Sequence, residues 1–230
     1  VWPLFRHGPD PRLSSLLPHR MGATGVDPGV LLARLEIESD PGCRRGLILA
    51  IGECAREKSL PADQQTAALK DLKRLYNDDS DPGIHGAAEW ALKQLKAEAE
   101  IAAIKEAYAT GLIVRDRQWY LTKTGQQTMI VIQPAEEFLM GSPITEEQRF
   151  EGPAGTYEFL HRRRINHNFA IGAEEITVAR FLAFRRDHPI DRSRSREEDA
   201  PANTLTWYDA AAYCNWLSEQ EGIPREEWCY

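Results

Sequence analysis

The sequence has 230 residues, of which 42% are hydrophobic and 27% are charged, a balance that allows a buried core. A formal net charge of −7 argues against a general nucleic-acid binder, because phosphate contacts require a basic surface. No apolar run approaches the roughly 18 to 20 residues that span a bilayer, and four cysteines without C-x-x-C spacing do not indicate a disulfide scaffold. We therefore expect a reduced, cytoplasmic protein with no nucleic-acid or membrane partner.

Residues 1–97 show helical periodicity that repeats three times. The repeated segments open with Asp-Pro at Asp10, Asp40 and Asp81, where aspartate can cap the first amides and proline fits the first turn. When aligned, they place apolar or small residues at i, i+4 and i+8: Leu13 with Cys43 and Ile84, Leu17 with Leu47 and Ala88, and Met21 with Ile51 and Leu92. Two more helices are predicted from Asp27 and from Pro61. Helix pairs of roughly 30 to 40 residues are typical of an α-solenoid.

The segment SDPGCRRGLILAIGE resembles the second helix of a HEAT repeat, with an Asp-Pro turn, a basic residue, and then alanine and leucine at helical spacing. The resemblance implies paired antiparallel helices over residues 1–97 and a protein partner bound through the repeats. The expected interior residues are Leu17, Leu47, Ile51, Ala88 and Leu92. Pro18 departs from the pattern and should kink or shorten the first helix. Residues 98–117 are predicted to be a solvated helical linker.

Several residues of this half allow two interpretations. Cys43 and Cys54 are eleven positions apart on one stripe, which suits a metal or redox pair, but free cysteine is commonly a small buried hydrophobe. We therefore predict two core cysteines. His85 and Trp90 could bind a ligand, whereas packing between stacked helices is the favoured role for Trp90.

Strands and shorter helices are predicted from residue 118 onward. WYL, TMIVIQP and EFLMGS indicate strands, with a glycine turn after the first, and Arg163, Ile165, His167, Phe169 and Ile171 alternate as on one strand. Thr177 can cap a helix bearing Val178, Phe181, Leu182 and Arg185, and a mixed-charge loop follows over residues 186–203. The stretch TLTWYDAAAYCNWLSEQEG predicts a capped helix ending at Gly222, with Thr206 and Asp209 as a capping box. Its buried face should be Ala210, Tyr213, Cys214 and Leu217, packed on the strands TMIVIQP and FAIGAEEI, with Trp207 and Trp216 at the edges.

These elements together resemble the formylglycine-generating enzyme family, also called sulfatase-modifying factor domains. The family order is a strand ending in F-x-M-G-S, then E-x-P-x-H, then F-x-I-x-x-x-E-V-T, then P-V, then W-x-x-A-x-x-Y-C-x-W-L-S. The matching residues are Phe138, Met140, Gly141, Ser142, Glu151, Pro153, Trp207, Ala210, Tyr213, Cys214, Trp216 and Leu217. The family histidine comes late, at His161, and Ile176 and Ala202 replace valines.

The resemblance implies a multidomain chain: all-α HEAT-like repeats (1–97), the linker (98–117), and an incomplete α+β domain with a C-type-lectin-like fold (118–230). Family members oxidise a sulfatase cysteine to formylglycine with a cysteine pair, copper and oxygen, and calcium is possible in a complete domain. That pair lies in the C-terminal part of the family domain, and nothing in this sequence matches it. Two cysteines with the family spacing beyond Tyr230 would favour the enzyme, and their absence would favour a non-catalytic module. We assign no catalytic, cofactor-binding or metal-binding residue in this chain, and structural roles to Cys214 and Cys229.

Two further candidate sites lie in the second half of the chain. His161 and His167 could begin a metal site, but they are six residues apart and lack a third ligand nearby. The run from His161 to Arg164 could bind phosphate or an acidic partner, although a solvated edge strand is the favoured interpretation.

Two functional hypotheses follow. The chain is a fragment of a sulfatase-modifying factor-like protein whose complete domain oxidises a target cysteine, and which lacks the catalytic part here. Alternatively, it is a non-catalytic interaction or regulatory module of a bacterial signalling protein, because similar arrangements follow a serine/threonine kinase. No kinase motif occurs in this sequence, so a kinase would have to lie upstream of Val1.

Overall fold

A computed structural model describes residues 1–8, 11–124, 127–147, 149 and 158–230, without the side chains of 135 and 136. The chain divides into two compact units. The first combines Val1–Ile130 with Gly172–Tyr230, and the second is Val131–Ile171. A helical N-terminal region is followed by a smaller region that contains the strands.

Six α-helices precede the first strand in the described part of the chain. They are α1 (Arg12–Met21), α2 (Pro28–Ile37), α3 (Pro41–Arg56), α4 (Ala62–Asp78), α5 (Pro82–Gln94) and α6 (Glu98–Tyr108), after a short 3-10 turn at Trp2–Phe5. We refer to residues 1–108 as the helical region. None of the helices in the described ranges is both long and apolar enough to cross a membrane.

The Asp-Pro openings cap their helices as predicted. The Asp40 carboxylate accepts a hydrogen bond from the Cys43 amide at 2.9 Å, and Asp81 accepts one from Ile84 at 2.8 Å. Each following proline occupies the first turn, where its missing N–H is not needed. The third predicted cap, Asp10, lies outside the described residues.

The predicted interior of the helical region is largely confirmed. Leu47, Ile51, Ala88 and Leu92 are fully buried in one continuous core with Cys43 and Cys54. Leu17 is only partly buried, and Leu13, aligned with the same stripe, is 53% exposed. Both lie on α1, which packs against α3 and the N-terminal turn. Pro18 lies inside α1, which spans ten residues against sixteen for α3.

Helix α6, which lies in the predicted solvated linker, is partly buried. Ile101 of α6 is 5% exposed and belongs to the helical core. Lys105 extends from α6 to the buried carboxylate of Glu89 on α5, at 2.8 Å. Burial raises the pKa of Glu89, but Lys105 and Lys93 outweigh burial and hold the pKa below its usual value. Helix α6 therefore packs against α4 and α5 as part of the helical core.

Helices α3 and α5 lie close together at Gly52. A Cβ atom placed on Gly52 would lie 2.4 Å from Cζ3 of Trp90 and 3.1 Å from Cα of Ala91. Trp90 also meets the His19 ring edge-on, with centroids 6.1 Å apart. The prediction that Trp90 packs between helices is thus confirmed, and the glycine makes room for its indole ring.

The first two strands follow the helical region in the chain and form an antiparallel pair. In β1 (Trp119–Leu121) and β2 (Thr128–Ile132), Tyr120 lies opposite Met129. The second neighbour of β2 is β5 (Phe169–Gly172). The predicted glycine turn falls at residues 125–126, outside the described residues.

The second unit contains an antiparallel pair of its own. In β3 (Ala135–Met140) and β4 (His161–Ile165), Met140 lies opposite His161. Gly141 follows β3 with φ +101°, and a Cβ atom there would lie 2.4 Å from the Phe159 carbonyl oxygen. The M-G-S sequence at this point therefore requires glycine, both for its backbone conformation and for the close approach of Phe159.

The prediction of one strand through Arg163 and Ile171 is wrong. The structure has two strands, β4 and β5, in different sheets, separated by residues 166–168. Asn166 and Asn168 lie at this break, and asparagine is disfavoured in strands. The alternating pattern in the sequence runs on through residues 166–168, so hydrophobic pattern alone does not reveal that the strand ends there.

The last two helices in the described part of the chain belong to the first unit. Helix α7 (Val178–Phe184) begins at Thr177, whose hydroxyl accepts from the Arg180 amide at 3.3 Å, as predicted. A loop without helix or strand spans residues 185–203, and α8 (Trp207–Glu221) is followed by a 3-10 turn at Arg225–Glu227.

The close approach of α3 and α5 gives a direct test. We expect Gly52→Ala to lower the free energy of unfolding by about 1 to 3 kcal/mol, because the new methyl group collides with Trp90 and with backbone. Gly86→Ala, on exposed α5 surface with no heavy atom within 4 Å, is the matched control. It should stabilise by about 0.5 to 1 kcal/mol through helix propensity. Urea unfolding followed by circular dichroism measures both, and equal stabilisation by the two alanines would contradict the packing.

Candidate functional site

A buried histidine joins the helical region to the strands. The His85 ring of α5 lies between two aromatic rings, with its centroid 4.4 Å from Tyr76 of α4 and 3.6 Å from Trp119 of β1. Both pairs are stacked, and His85 and Trp119 are each only 1% exposed. We call Tyr76, His85 and Trp119 the aromatic joint.

Hydrogen bonds fix the tautomer of His85. Its Nδ1 lies 2.7 Å from the Tyr76 carbonyl oxygen, which can only accept, so Nδ1 carries the proton. Nε2 is then an acceptor, 3.4 Å from the Thr128 hydroxyl. Burial lowers the pKa of His85 to about 4, and the ring is neutral near pH 7. The hypothesis that His85 binds a ligand is therefore not supported, because the ring is enclosed by protein.

The C-terminal end of α4 anchors the residues around the joint. The Trp119 indole N–H donates to the Asp79 carbonyl at 2.9 Å, and the Arg117 guanidinium donates to the Asn77 carbonyl. Arg117 also lies over the Tyr108 and Trp119 rings, 4.5 and 4.6 Å from their centroids. A cation is favourable at a helix C-terminus, where carbonyl groups lack partners. No local pattern in the sequence indicates this contact, because the partners come from distant parts of the chain.

The N-terminus of α8 forms the predicted capping box. The Asp209 amide donates to the Thr206 hydroxyl at 3.2 Å, and the Asp209 carboxylate accepts from the Thr206 amide at 3.0 Å. Hydrogen bonds from the Thr206 hydroxyl and amide, together with an ion pair to Arg185, lower the pKa of Asp209 to about 2. Gly222 ends the helix with φ +69°, also as predicted.

The predicted buried face of α8 is partly wrong. Tyr213 is buried and Leu217 half-buried, but Ala210 and Cys214 are exposed. The residues turned to protein are instead Tyr213, Trp216 and Leu217, spaced i, i+3, i+4. Both faces fit a helix of this sequence, so periodicity alone could not choose between them.

Contacts at two points set the rotation of α8. Tyr213 packs on α7 rather than on the predicted strands, with its ring 5.6 Å from Phe181 and 5.8 Å from Phe184. At the other end, the buried Glu221 carboxylate accepts from the Lys123 amide at 2.6 Å, beside the end of β1. These contacts turn Ala210 and Cys214 to solvent.

A small cavity lies beside the inward face of α8. It measures about 30 Å³ and is lined by Thr122, Thr124, Gln127, Arg180, Ala183, Tyr213, Trp216, Leu217 and Gln220. That volume holds about one water molecule. The cavity is therefore a packing defect and not a pocket for an organic ligand.

Aromatic residues at the start of α8 face solvent. Trp207 is 63% and Tyr208 79% exposed, although Trp207 was predicted to cover an edge of the packing. Tyr208 and Tyr230 each meet the Trp207 ring nearly at right angles, with centroids 5.3 Å away in both pairs. We call Trp207, Tyr208 and Tyr230 the aromatic surface.

The cysteines fall into two pairs in different surroundings. Cys43 and Cys54 are core residues, and burial raises the pKa of both thiols. Cys214 and Cys229 are free and exposed, so burial does not support the structural roles assigned to them. Across the described ranges, no three histidine, cysteine, aspartate or glutamate side chains are grouped to hold a metal ion.

The histidines and arginines of β4 belong to a solvated strand. His161 Nδ1 lies 2.9 Å from the Phe159 carbonyl, and exposed His167 follows the strand. Arg162 pairs with Glu137 across the sheet at 2.5 Å, and Arg163 donates to His161 Nε2 at 3.1 Å. The exposed side chains support the solvated-strand interpretation over a metal site.

A shallow groove of about 400 Å³ lies on the outside of the helical region. Its lining residues are Lys73 and Asn77 of α4, and Ala99, Glu100, Ala103, Ile104, Ala107 and Tyr108 of α6. The alanines lie four residues apart and leave space beside α4. Apolar lining with a charged rim is typical of surfaces that contact proteins.

The two faces of α8 can be compared through two of its tyrosines. Tyr213→Ala should lower the free energy of unfolding by about 3 to 5 kcal/mol, because it removes a buried ring from the contact with α7. Tyr208→Ala, on the same helix but exposed, should change it by no more than about 0.5 kcal/mol. Thermal and urea unfolding measure both values. A large loss from Tyr208→Ala with little from Tyr213→Ala would mean that the assigned faces are reversed.

Comparison with known proteins bears on the second half of the chain. No curated protein and no solved structure matches this sequence. The F-x-M-G-S element runs through β3 to Ser142, and the W-x-x-A-x-x-Y-C-x-W-L-S element is α8, whereas Glu151 and Pro153 lie outside the described residues. Residues 120–230, from β1 to the end of α8 and the segment after it, match the family of the sulfatase-modifying factor enzyme 1-like domain.

Proposed function

We propose that this chain joins HEAT-like repeats (1–97), through a helical linker (98–117), to part of a C-type-lectin-like sulfatase-modifying factor domain (118–230). In its complete form, such a domain would oxidise a target cysteine to formylglycine. The residues of this chain act as scaffold in that reaction and do not include the reacting thiols. The observation that carries the proposal is the family match over residues 120–230.

The positions of the cysteines support a scaffold role. Cys43 and Cys54 belong to the helical region, outside the matched segment, and raised pKa values keep both thiols protonated. Cys214 and Cys229 belong to the matched segment, but neither corresponds to the catalytic pair expected from the resemblance. A thiolate, not a thiol, is the metal ligand and the nucleophile.

The described residues of this chain do not fit the copper of the family reaction. No group of three potential ligands exists among the described side chains, and the raised pKa of Cys214 disfavours its ligating form. The described side chains therefore hold neither copper nor the calcium of a complete domain in this proposal.

Mass spectrometry of a cysteine-containing sulfatase peptide tests this assignment. After incubation with the protein, copper(II) and oxygen, we expect no conversion of the peptide cysteine to formylglycine above a protein-free control. Copper-dependent conversion would overturn the scaffold role. In that case, loss of conversion in Cys214→Ser or Cys229→Ser, but not in Cys43→Ala, would identify the reacting thiol.

A second candidate function is a non-catalytic interaction module, such as a bacterial kinase-associated regulatory segment in the cytoplasm. The groove between α4 and α6 favours it, because it offers apolar helix surface with Lys73 and Glu100 at the rim. A protein partner with an amphipathic helix suits such a groove. The kinase and the bacterial setting follow only from the resemblance in domain order.

A further inference from the structure

The segment after α8 runs back along that helix. At Gly222 the chain reverses, with the Ile223 amide donating to the Ser218 carbonyl at 2.9 Å, the hydrogen bond of a Schellman motif. The Trp228 indole N–H donates to the Ile223 carbonyl at 2.8 Å. Tyr230 then reaches Trp207, the first residue of the helix, with ring centroids 5.3 Å apart. Residues 223–230 thus cover the length of α8, and we call them the return segment.

The return segment brings Cys229 beside the helix face that carries Cys214. Trp207 and Cys214 are seven residues apart, which is about two helical turns, so they share one face of α8. Cys229 is next to Tyr230, which contacts that face at Trp207. Three of the eight residues form the 3-10 turn at Arg225–Glu227, so the segment spans at most roughly 22 Å, about the length of a 15-residue helix. The segment therefore has enough length for Cys229 to lie along the middle of the helix.

Both thiols are exposed, and a charge on Cys229 acts on the Cys214 thiol. Cys214 and Cys229 are free and exposed, in contrast to Cys43 and Cys54 in the core. Partial burial raises the pKa of Cys214, and a negative charge on Cys229 raises it further. Oxidation would replace this repulsion between two thiolates with a covalent bond.

We propose that Cys214 and Cys229 form a reversible disulfide that fastens the return segment, and with it Tyr230, to helix α8. This modification site goes beyond the proposed function and does not depend on it. The oxidised form would hold the aromatic surface in one arrangement, whereas the reduced form would leave the return segment attached by its non-covalent contacts. The oxidant is a small-molecule disulfide such as oxidised glutathione.

The reaction proceeds by two thiol–disulfide exchanges. A thiolate of the pair attacks one sulfur of oxidised glutathione, forming a mixed disulfide and releasing one glutathione thiolate. The second cysteine, after losing its proton, attacks the protein sulfur of that mixed disulfide and releases the other glutathione. Two protein thiols are oxidised, and one glutathione disulfide is reduced to two thiols. The raised pKa of Cys214 makes it slow to attack first, so we expect it to complete the second exchange.

Peptide mapping under non-reducing conditions tests the proposal. The native protein is incubated with mixtures of reduced and oxidised glutathione, quenched with acid, alkylated in denaturant and digested with trypsin. Cleavage after Arg225 separates the two cysteines into the peptides 197–225 and 226–230. We expect these two peptides joined by a disulfide in the monomer, in at least about tenfold excess over their glutathione adducts, because the second thiol is held nearby. Added reductant should release them, and Cys43 and Cys54 should remain alkylated.

Single variants supply the matched controls. Cys214→Ser and Cys229→Ser should each accumulate a glutathione adduct on the remaining thiol. Oxidation should raise the melting temperature of the wild-type protein but not of either variant, because only the wild type closes a loop. Three outcomes would each overturn the proposal. They are glutathione adducts on both wild-type cysteines, a disulfide between two protein molecules, and unreacted thiols at a glutathione ratio that oxidises the single variants.

Discussion

The neutral imidazole of His85, stacked between Tyr76 and Trp119, is the contact on which the arrangement of the first unit depends. One partner comes from α4 and the other from β1, so the ring connects the helical region to the strand that opens the matched domain. The joint is more stable while His85 is neutral, because burial disfavours the charged ring. Its pKa in the fold, about 4, is below the ordinary 6.5, so the unfolded chain binds more protons between these values. Stability contributed by the joint is present above about pH 6.5 and falls towards pH 4, by up to about 3 kcal/mol.

Contacts further along the chain extend this connection to α8. Trp119 and Arg117 fix the start of β1 on the carbonyl end of α4, and the Lys123 amide after β1 binds the carboxylate of Glu221. The C-terminal end of α8 is therefore held by the same strand that packs on His85. Tyr213 completes the placement through α7, which leaves the opposite face of α8 open to solvent and to the return segment.

Local signals in the sequence predicted local structure well. Asp40, Asp81, Thr177 and Thr206 cap helices because each places a side-chain oxygen near amides two or three residues later, a relation contained within one turn. Side-chain orientation was predicted less well. Cys214 belongs to an apolar stripe of α8 that is exposed to solvent in the structure. The sequence contains two equivalent stripes, and contacts with α7 and Lys123 decide which of them is buried. His85 could not be recognised as a joint, since its partner Trp119 is 34 positions away and belongs to another element. For the candidate site, the absence of a recognisable catalytic pair remains a sequence-based expectation.

The titration of His85 tests the central claim most directly. The ring proton signal of His85, assigned by its absence in His85→Gln, is followed by nuclear magnetic resonance as the pH is lowered. The account predicts that the ring stays neutral until about pH 4, and that Trp119→Ala shifts its pKa upward by opening the ring to water. An ordinary pKa near 6.5 in the wild-type protein, unchanged by Trp119→Ala, would contradict the account and show that the ring is not enclosed between the helices and β1.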